Sequence, residues 1–199
     1  MKVFKFGGAS VKDAAAVKNV FEIIKSESGN LAVVISAMGK STDLLETLIK
    51  AYFNSNNEKW SIFNTFKNYH IEIIGDLFGE KGMPQGVYEL FSELEHKLNS
   101  RPSYDFNFEY DQIICFGELI STRIVSDYIT ATGYKNTWMD IRTCLKTDDT
   151  FRDARVDWEW TGELIREEFN FSDTSLYITQ GFIGSTTANL STTLGREGS

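Results

Sequence analysis

The chain has 199 residues, of which 42% are hydrophobic and 24% charged, with a formal net charge of −8. That length and composition fit one sizeable globular domain with a real core. The acidic balance argues against broad binding of nucleic acid or of an anionic membrane, both of which need a basic face.

"KVFKF", Lys2 to Phe6, alternates and is aromatic, so it predicts a strand that "GGAS" then breaks. "DAAAVKNVFEIIKSES" places Val17, Phe21 and Ile24 on one helical face, with Asp13 as N-cap and Gly29 as stop. "LAVVIS" is a second strand. Strand, helix and strand so close together make a βαβ unit, with parallel strands and a right-handed crossover.

Three amphipathic stretches follow, "STDLLETLIKAYF", "WSIFNTFKNYHIEIIGDLF" and "GVYELFSELEHKL", with Pro84 and Pro102 at the breaks. They predict a helical insert over about 40–101. "YDQIICFGELISTRIVSDYITATG" reads as one long helix ending at Gly133. "NTWMDIRTCLKT" reads as strand, "DDTFRDARVDW" as a charged loop and "WEWTGELIREEFN" as a helix. "SLYITQGFIG" is a strand of period two, and "STTANLSTTLGREGS" a small, polar, flexible loop. In α/β folds such a loop feeds a further helix, so a longer parent protein is expected.

The two cysteines, Cys115 and Cys144, form no disulfide framework, so a reducing cytoplasm is the expected compartment. No Cys-x-x-Cys accompanies the two histidines, His70 and His96, and no metal site is expected. "MKVFKFGGAS" lacks the apolar segment of a secretory signal, and no run approaches the roughly 20 apolar residues of a membrane span.

"VVISAMGKST" ends like a phosphate-gripping P-loop, but the spacing puts Val34 where the first glycine belongs. A strand opening into a small polar loop remains, and ligands bind beyond the carboxyl ends of such strands. Four segments carry candidate chemistry. In "KFGGAS", Lys5 precedes Gly7 and Gly8, whose amides near a helix N-terminus suit an anion; a plain tight turn is the alternative. In "SAMGKST", Ser36, Ala37 and Thr42 offer amides and hydroxyls, or Ser41 or Thr42 simply caps the next helix. In "FGELISTR", Glu118 lies among apolar residues, a costly place unless a ligand ammonium or a cation such as Arg123 pairs with it. In "TTLGREGS", Arg196 suits a carboxylate or phosphate, or is a solvated loop residue. Together they suggest a small zwitterion and a phosphate donor.

"KFGGAS", "VVISAMGKST", "FGELIST" and "TTLGREGS" occur in the order and approximate spacing of the aspartate kinases of the amino-acid kinase superfamily. The chain resembles the N-terminal, substrate-binding part of such an enzyme from Lys5 to Ser199. The resemblance implies a three-layer α/β/α sandwich around a mainly parallel sheet. It implies transfer of the γ-phosphoryl group of ATP, with Mg²⁺ carried on the nucleotide, to the side-chain carboxylate of L-aspartate. The product, 4-phospho-L-aspartate, begins lysine, threonine and methionine biosynthesis. Lys5, Gly7, Gly8, Ser10 and Ser199 would face the phosphates, with Lys5 as the catalytic cation. Ser36, Ala37, Thr42, Glu118 and Arg196 would hold aspartate, Glu118 taking its ammonium and Arg196 a carboxylate. Ala9 stands where the family has threonine and Glu197 where glycine is common. The rest of the kinase domain and the regulatory ACT domains lie beyond these residues, so the parent is expected to be a homo-oligomer and this part alone to have little activity. Kinases of acetylglutamate, glutamate or carbamate are the nearest alternative. A non-catalytic aspartate-binding module is the alternative of another class.

Overall fold

The computed structural model describes residues 1–195. Four parallel strands make the main sheet: β1 (Lys2–Phe6), β2 (Leu31–Ile35), β3 (Thr137–Met139) and β4 (Leu176–Gln180), in the order β1-β2-β4-β3. Register places Phe4 beside Val33 and Val33 beside Ile178, so one face is continuous and apolar.

That face meets the helices α1 (Ala14–Lys25) and α6 (Phe116–Ala131). Val17, Val20, Phe21 and Ile24 form the buried stripe of α1, and the Phe21 ring packs edge-on against Tyr128 of α6. The opposite face is covered by α7 (Trp158–Glu168); Tyr177 packs on Phe169 and donates its hydroxyl to the Glu168 carbonyl. The two covered faces follow from the strand order. β1 to β2 and β3 to β4 run in opposite directions across the sheet, so right-handed crossovers put their helices on opposite sides. The expected three-layer sandwich with a parallel sheet is what forms.

The helical insert forms as expected from α2 (Ser41–Phe53), α3 (Lys59–Phe78) and α4 (Gln85–Asn99), with Pro84 immediately before α4. Tyr52, Phe66, Phe91 and Leu94 fill its centre. Among the described residues no helix is long and apolar enough to cross a membrane.

Several local expectations are corrected. The predicted long helix is divided at Cys115 into α5 (Phe106–Ile114) and α6. The two halves dock on different partners. Gln112 of α5 bonds Ser191 through both its amide nitrogen and its oxygen, whereas α6 packs on the sheet. The "NTWMDIRTCLKT" strand is confined to β3, because the Asp140 side chain accepts from the Arg142 amide and caps a 3₁₀ turn, Ile141–Thr143. The "SLYITQGFIG" strand breaks after Gln180. Phe182 has φ +69°, and the chain leaves the sheet there to form a separate hairpin of β5 (Ile183–Ser185) and β6 (Ser191–Thr193). The helix stop falls at Ser26 rather than Gly29, which lies in the following loop at φ +87°.

The polar end segment was expected to be flexible, yet Ser191, Thr192 and Thr193 are buried. Gln112 receives Ser191, Thr147 pairs with Thr192, and Asp111 holds Thr193. Asp111 is fully buried, and its carboxylate accepts from the amide and hydroxyl of Thr193 (2.9 and 2.8 Å) and from the amide of Arg152 (2.9 Å). One side chain of α5 thereby ties down β6 and the charged loop before α7. Asp111→Ala should lower the unfolding free energy by about 3 kcal/mol, since it strands buried donors. Asp111→Asn, which keeps one acceptor oxygen, should fall between. Urea denaturation of the three proteins checks the order.

Candidate active site

The candidate site lies where ligands gather in open α/β sheets, beyond the carboxyl ends of the strands. After β1, Gly7 is extended (φ −75°, ψ 169°), and Gly8 opens a 3₁₀ turn, Gly8–Val11. Asp13 then caps α1 by accepting from the Ala16 amide at 2.8 Å, as its sequence position suggested. The Gly8 carbonyl accepts from the Gly39 amide at 3.0 Å. A Cβ on Gly8 would lie 2.5 Å from the carbonyl oxygen of Ala37, so only glycine lets the first turn meet the loop after β2. Gly7 faces open space. The paired glycines thus divide the work: Gly8 serves the protein's own backbone, and Gly7 leaves room. Ser10 is exposed and bonds back to the Gly7 carbonyl through its amide. Lys5 is exposed on β1, in register with Val34, one residue before the strand ends.

The loop after β2 is held from two sides. The Ser36 amide donates to Phe6 (3.0 Å), and its carbonyl accepts from Ser121 Oγ of α6 (2.8 Å). The Ala37 amide donates to Glu118 Oε1 at 3.3 Å. Gly117 permits this approach, because a Cβ there would come within 3.0 Å of the Ala37 methyl. Thr42 is half-buried in the first turn of α2. The expected Ser41 or Thr42 cap is not observed: helix α2 starts at Ser41, Lys40 holds the capping position, and its side chain makes no capping bond. Ser36, Ala37, Glu118 and Gly8 therefore come together through the loop, with Gly7 beside them. Arg196 and Ser199 lie outside the described residues.

Glu118 is only 4% exposed, in the first turn of α6. Arg123, the cation one turn further on, instead bonds Asp127 at 3.0 Å and lies over the Trp138 ring. No cation pairs with Glu118 among the described residues. Burial pushes its carboxyl up to about 7, and the Ala37 amide offsets this only in part. Such a carboxyl, poised between its neutral and charged forms near pH 7 and short of a counter-charge among the described residues, is chemically suited to an ammonium, which favours the charged form.

Two rim residues escaped the sequence reading. Gln180 ends β4 fully buried; its oxygen accepts from the Ile141 amide (2.8 Å), and its nitrogen donates to Thr122 Oγ1 of α6 (2.7 Å). Phe182 follows in the left-handed region, an uncommon conformation for a bulky side chain and frequent at functional loops. A polar residue closing a buried apolar strand was the available signal for Gln180. The sequence holds none for Phe182. A cavity of about 580 Å³ lined by Phe108, Phe151 and Leu190 lies beside α5 and the hairpin and includes none of the candidate residues.

The raised Glu118 carboxyl has a consequence for stability. A group with a higher proton affinity in the folded chain stabilises it at low pH, and that contribution disappears as pH rises from the ordinary carboxyl range through about 7. Glu118→Gln keeps an acceptor for Ala37 and removes the titration. The variant should gain on the wild type across this window, by roughly 3 kcal/mol at pH 8. Chemical denaturation of both proteins from pH 4.5 to 8 measures the difference.

The sequence profile described as Amino acid kinase family matches residues 1–199. Lysine-sensitive aspartokinase 3 of Escherichia coli (strain K12) is 28% identical over 198 residues, covering 99% of this chain and 44% of its own. The chloroplastic bifunctional aspartokinase/homoserine dehydrogenase 2 of Arabidopsis thaliana is 29% identical over 204 residues, covering 99% and 22%. Among solved structures, E. coli aspartokinase III in complex with lysine and aspartate (T-state) superposes with a TM-score of 0.87 at 29% identity, covering 99% of this chain and 44% of that one. The same enzyme in complex with aspartate and ADP (R-state) gives 0.86 at 28%, covering 98% and 44%. The chain spans less than half the length of these relatives. With a matching profile along its whole length and a backbone that superposes on these structures, the chain belongs to the amino acid kinase family.

Proposed function

We propose that this chain is the substrate-binding part of an aspartate kinase, which moves the γ-phosphoryl group of ATP to the side-chain carboxylate of L-aspartate. The observation that carries this reading is Glu118: a buried carboxylate without a cationic partner among the described residues, bonded to the loop after β2. The likeness to structures determined with aspartate, and with aspartate and ADP, supports it.

In this reading the ammonium of aspartate pairs with Glu118, and Arg196 takes a carboxylate in the two-pronged geometry of a guanidinium. Ser36, Ala37 and Thr42 border the amino acid. The phosphates lie over Gly7, where a side chain would intrude, with Ser10 and Ser199 at the same end and Lys5 supplying positive charge. A carboxylate oxygen of aspartate attacks the γ-phosphorus, the bond from that phosphorus to the β–γ bridging oxygen breaks, and ADP leaves with the electron pair. The nucleophile is already ionised at neutral pH, so no general base is required. The task is to bring two anions together, which positioning and cations accomplish, with Mg²⁺ carried on ATP neutralising part of the charge.

Calorimetric titration tests the reading. L-Aspartate should bind saturably, L-glutamate and D-aspartate should not, and Arg196→Ala should weaken binding by about tenfold or more. Equal binding of L-glutamate, or no binding of L-aspartate, would contradict it.

A further inference from the structure

Neither Tyr69 nor His70 belongs to a ligand-loop motif, yet these adjacent residues of α3 reach both loops from behind. The Tyr69 hydroxyl donates to the Lys12 carbonyl at 2.5 Å, where the turn after β1 hands over to the Asp13 cap of α1. The same hydroxyl lies directly against Gly39, which has φ +55° and no room for a Cβ on that side. One oxygen therefore touches the end of the "GGAS" turn and the middle of the "SAMGKST" loop.

His70 is fully buried, with its ring packed on Phe66 and Phe91 (centroids 4.5 and 5.9 Å). Its Nδ1 lies 2.8 Å from the Phe66 carbonyl, which can only accept. That fixes the proton on Nδ1 and leaves Nε2 as an acceptor. Ser41 Oγ, 3.4 Å away and buried, is then the donor. Burial lowers His70 to about 4, so the ring stays neutral and the tautomer holds through the physiological range. Ser41 is the first residue of α2 and directly precedes Thr42.

We propose that Tyr69 and His70 are positioning residues which clamp the two ligand loops in register, Tyr69 through Lys12 and Gly39, and His70 through Ser41. The backbone contact of Gly8 with Gly39 sets how the loops meet; the clamp keeps them there while the α2 N-terminus presents Thr42. This rests on the aspartate-kinase reading only for the identity of the ligand.

The test uses the whole chain and the variants Tyr69→Phe, His70→Leu and His70→Gln; of the two changes at His70, only Gln retains an acceptor toward Ser41. Amide hydrogen exchange is followed at Gly39 and Ser41, whose amides bond the Gly8 and Met38 carbonyls, with β4 as internal reference. L-Aspartate affinity is titrated in parallel. Tyr69→Phe should speed exchange at Gly39, and His70→Leu at Ser41, each about tenfold with β4 unchanged. Both should weaken L-aspartate binding by a similar factor, and His70→Gln should recover most of the loss. Exchange that rises equally in β4 means general destabilisation and overturns the clamp, as does exchange that does not change. Faster loop exchange with unaltered affinity overturns the positioning role. A wild-type chain that ignores L-aspartate sinks the substrate assignment instead, and exchange alone then decides the clamp.

Discussion

The contact between Gly8 and the loop Ala37–Gly39 is the constraint on which the site depends. Two strands end side by side, and their following loops must turn toward each other without a side chain between them. Glycine at position 8 allows the Ala37 carbonyl to approach, and the Gly8 carbonyl receives the Gly39 amide. Two later helices brace that joint. The α6 helix presses Gly117 against Ala37, Ser121 holds Ser36, and α3 closes the back. The loops are short and polar, but their backbones are fixed at nearly every residue.

Against that rigid frame, Glu118 is the group that folding does not reward. Its burial raises its proton affinity, and backbone amides, that of Ala37 at 3.3 Å among them, offset this only in part. Proteins retain such groups where function needs them. Asp111, also buried and raised to about 6, differs because its three donors hold the hairpin and loop in place. The contrast separates a carboxylate whose burial the fold repays with three donors from one that the proposed ligand ammonium would complete.

Much of this was legible in the sequence because it rests on local pattern. The βαβ start, the Asp13 cap, the insert helices and α7 follow from periodicity and turn residues. The loops after β1 and β2 were legible as loops from the small and polar residues at the strand ends. What stayed hidden depends on partners distant in sequence. The β5–β6 hairpin reads as flexible because its residues are polar, and partners far back in the chain, Asp111 for Thr193, Gln112 for Ser191 and Thr147 for Thr192, make them interior. The division of α5 from α6 depends likewise on Ser191. Arg123 was the nearby cation that could have paired with Glu118, but it lies five residues on, and the Asp127 carboxylate at the facing i,i+4 position takes it.

The most direct measurement is the titration of the Glu118 carboxyl carbon by NMR in the labelled chain, with and without saturating L-aspartate. The account predicts a midpoint near 7 in the free chain, falling to about 5 or below when an ammonium sits against the carboxylate. A midpoint in the free chain at the ordinary glutamate value, or one that bound aspartate leaves unmoved, would contradict it.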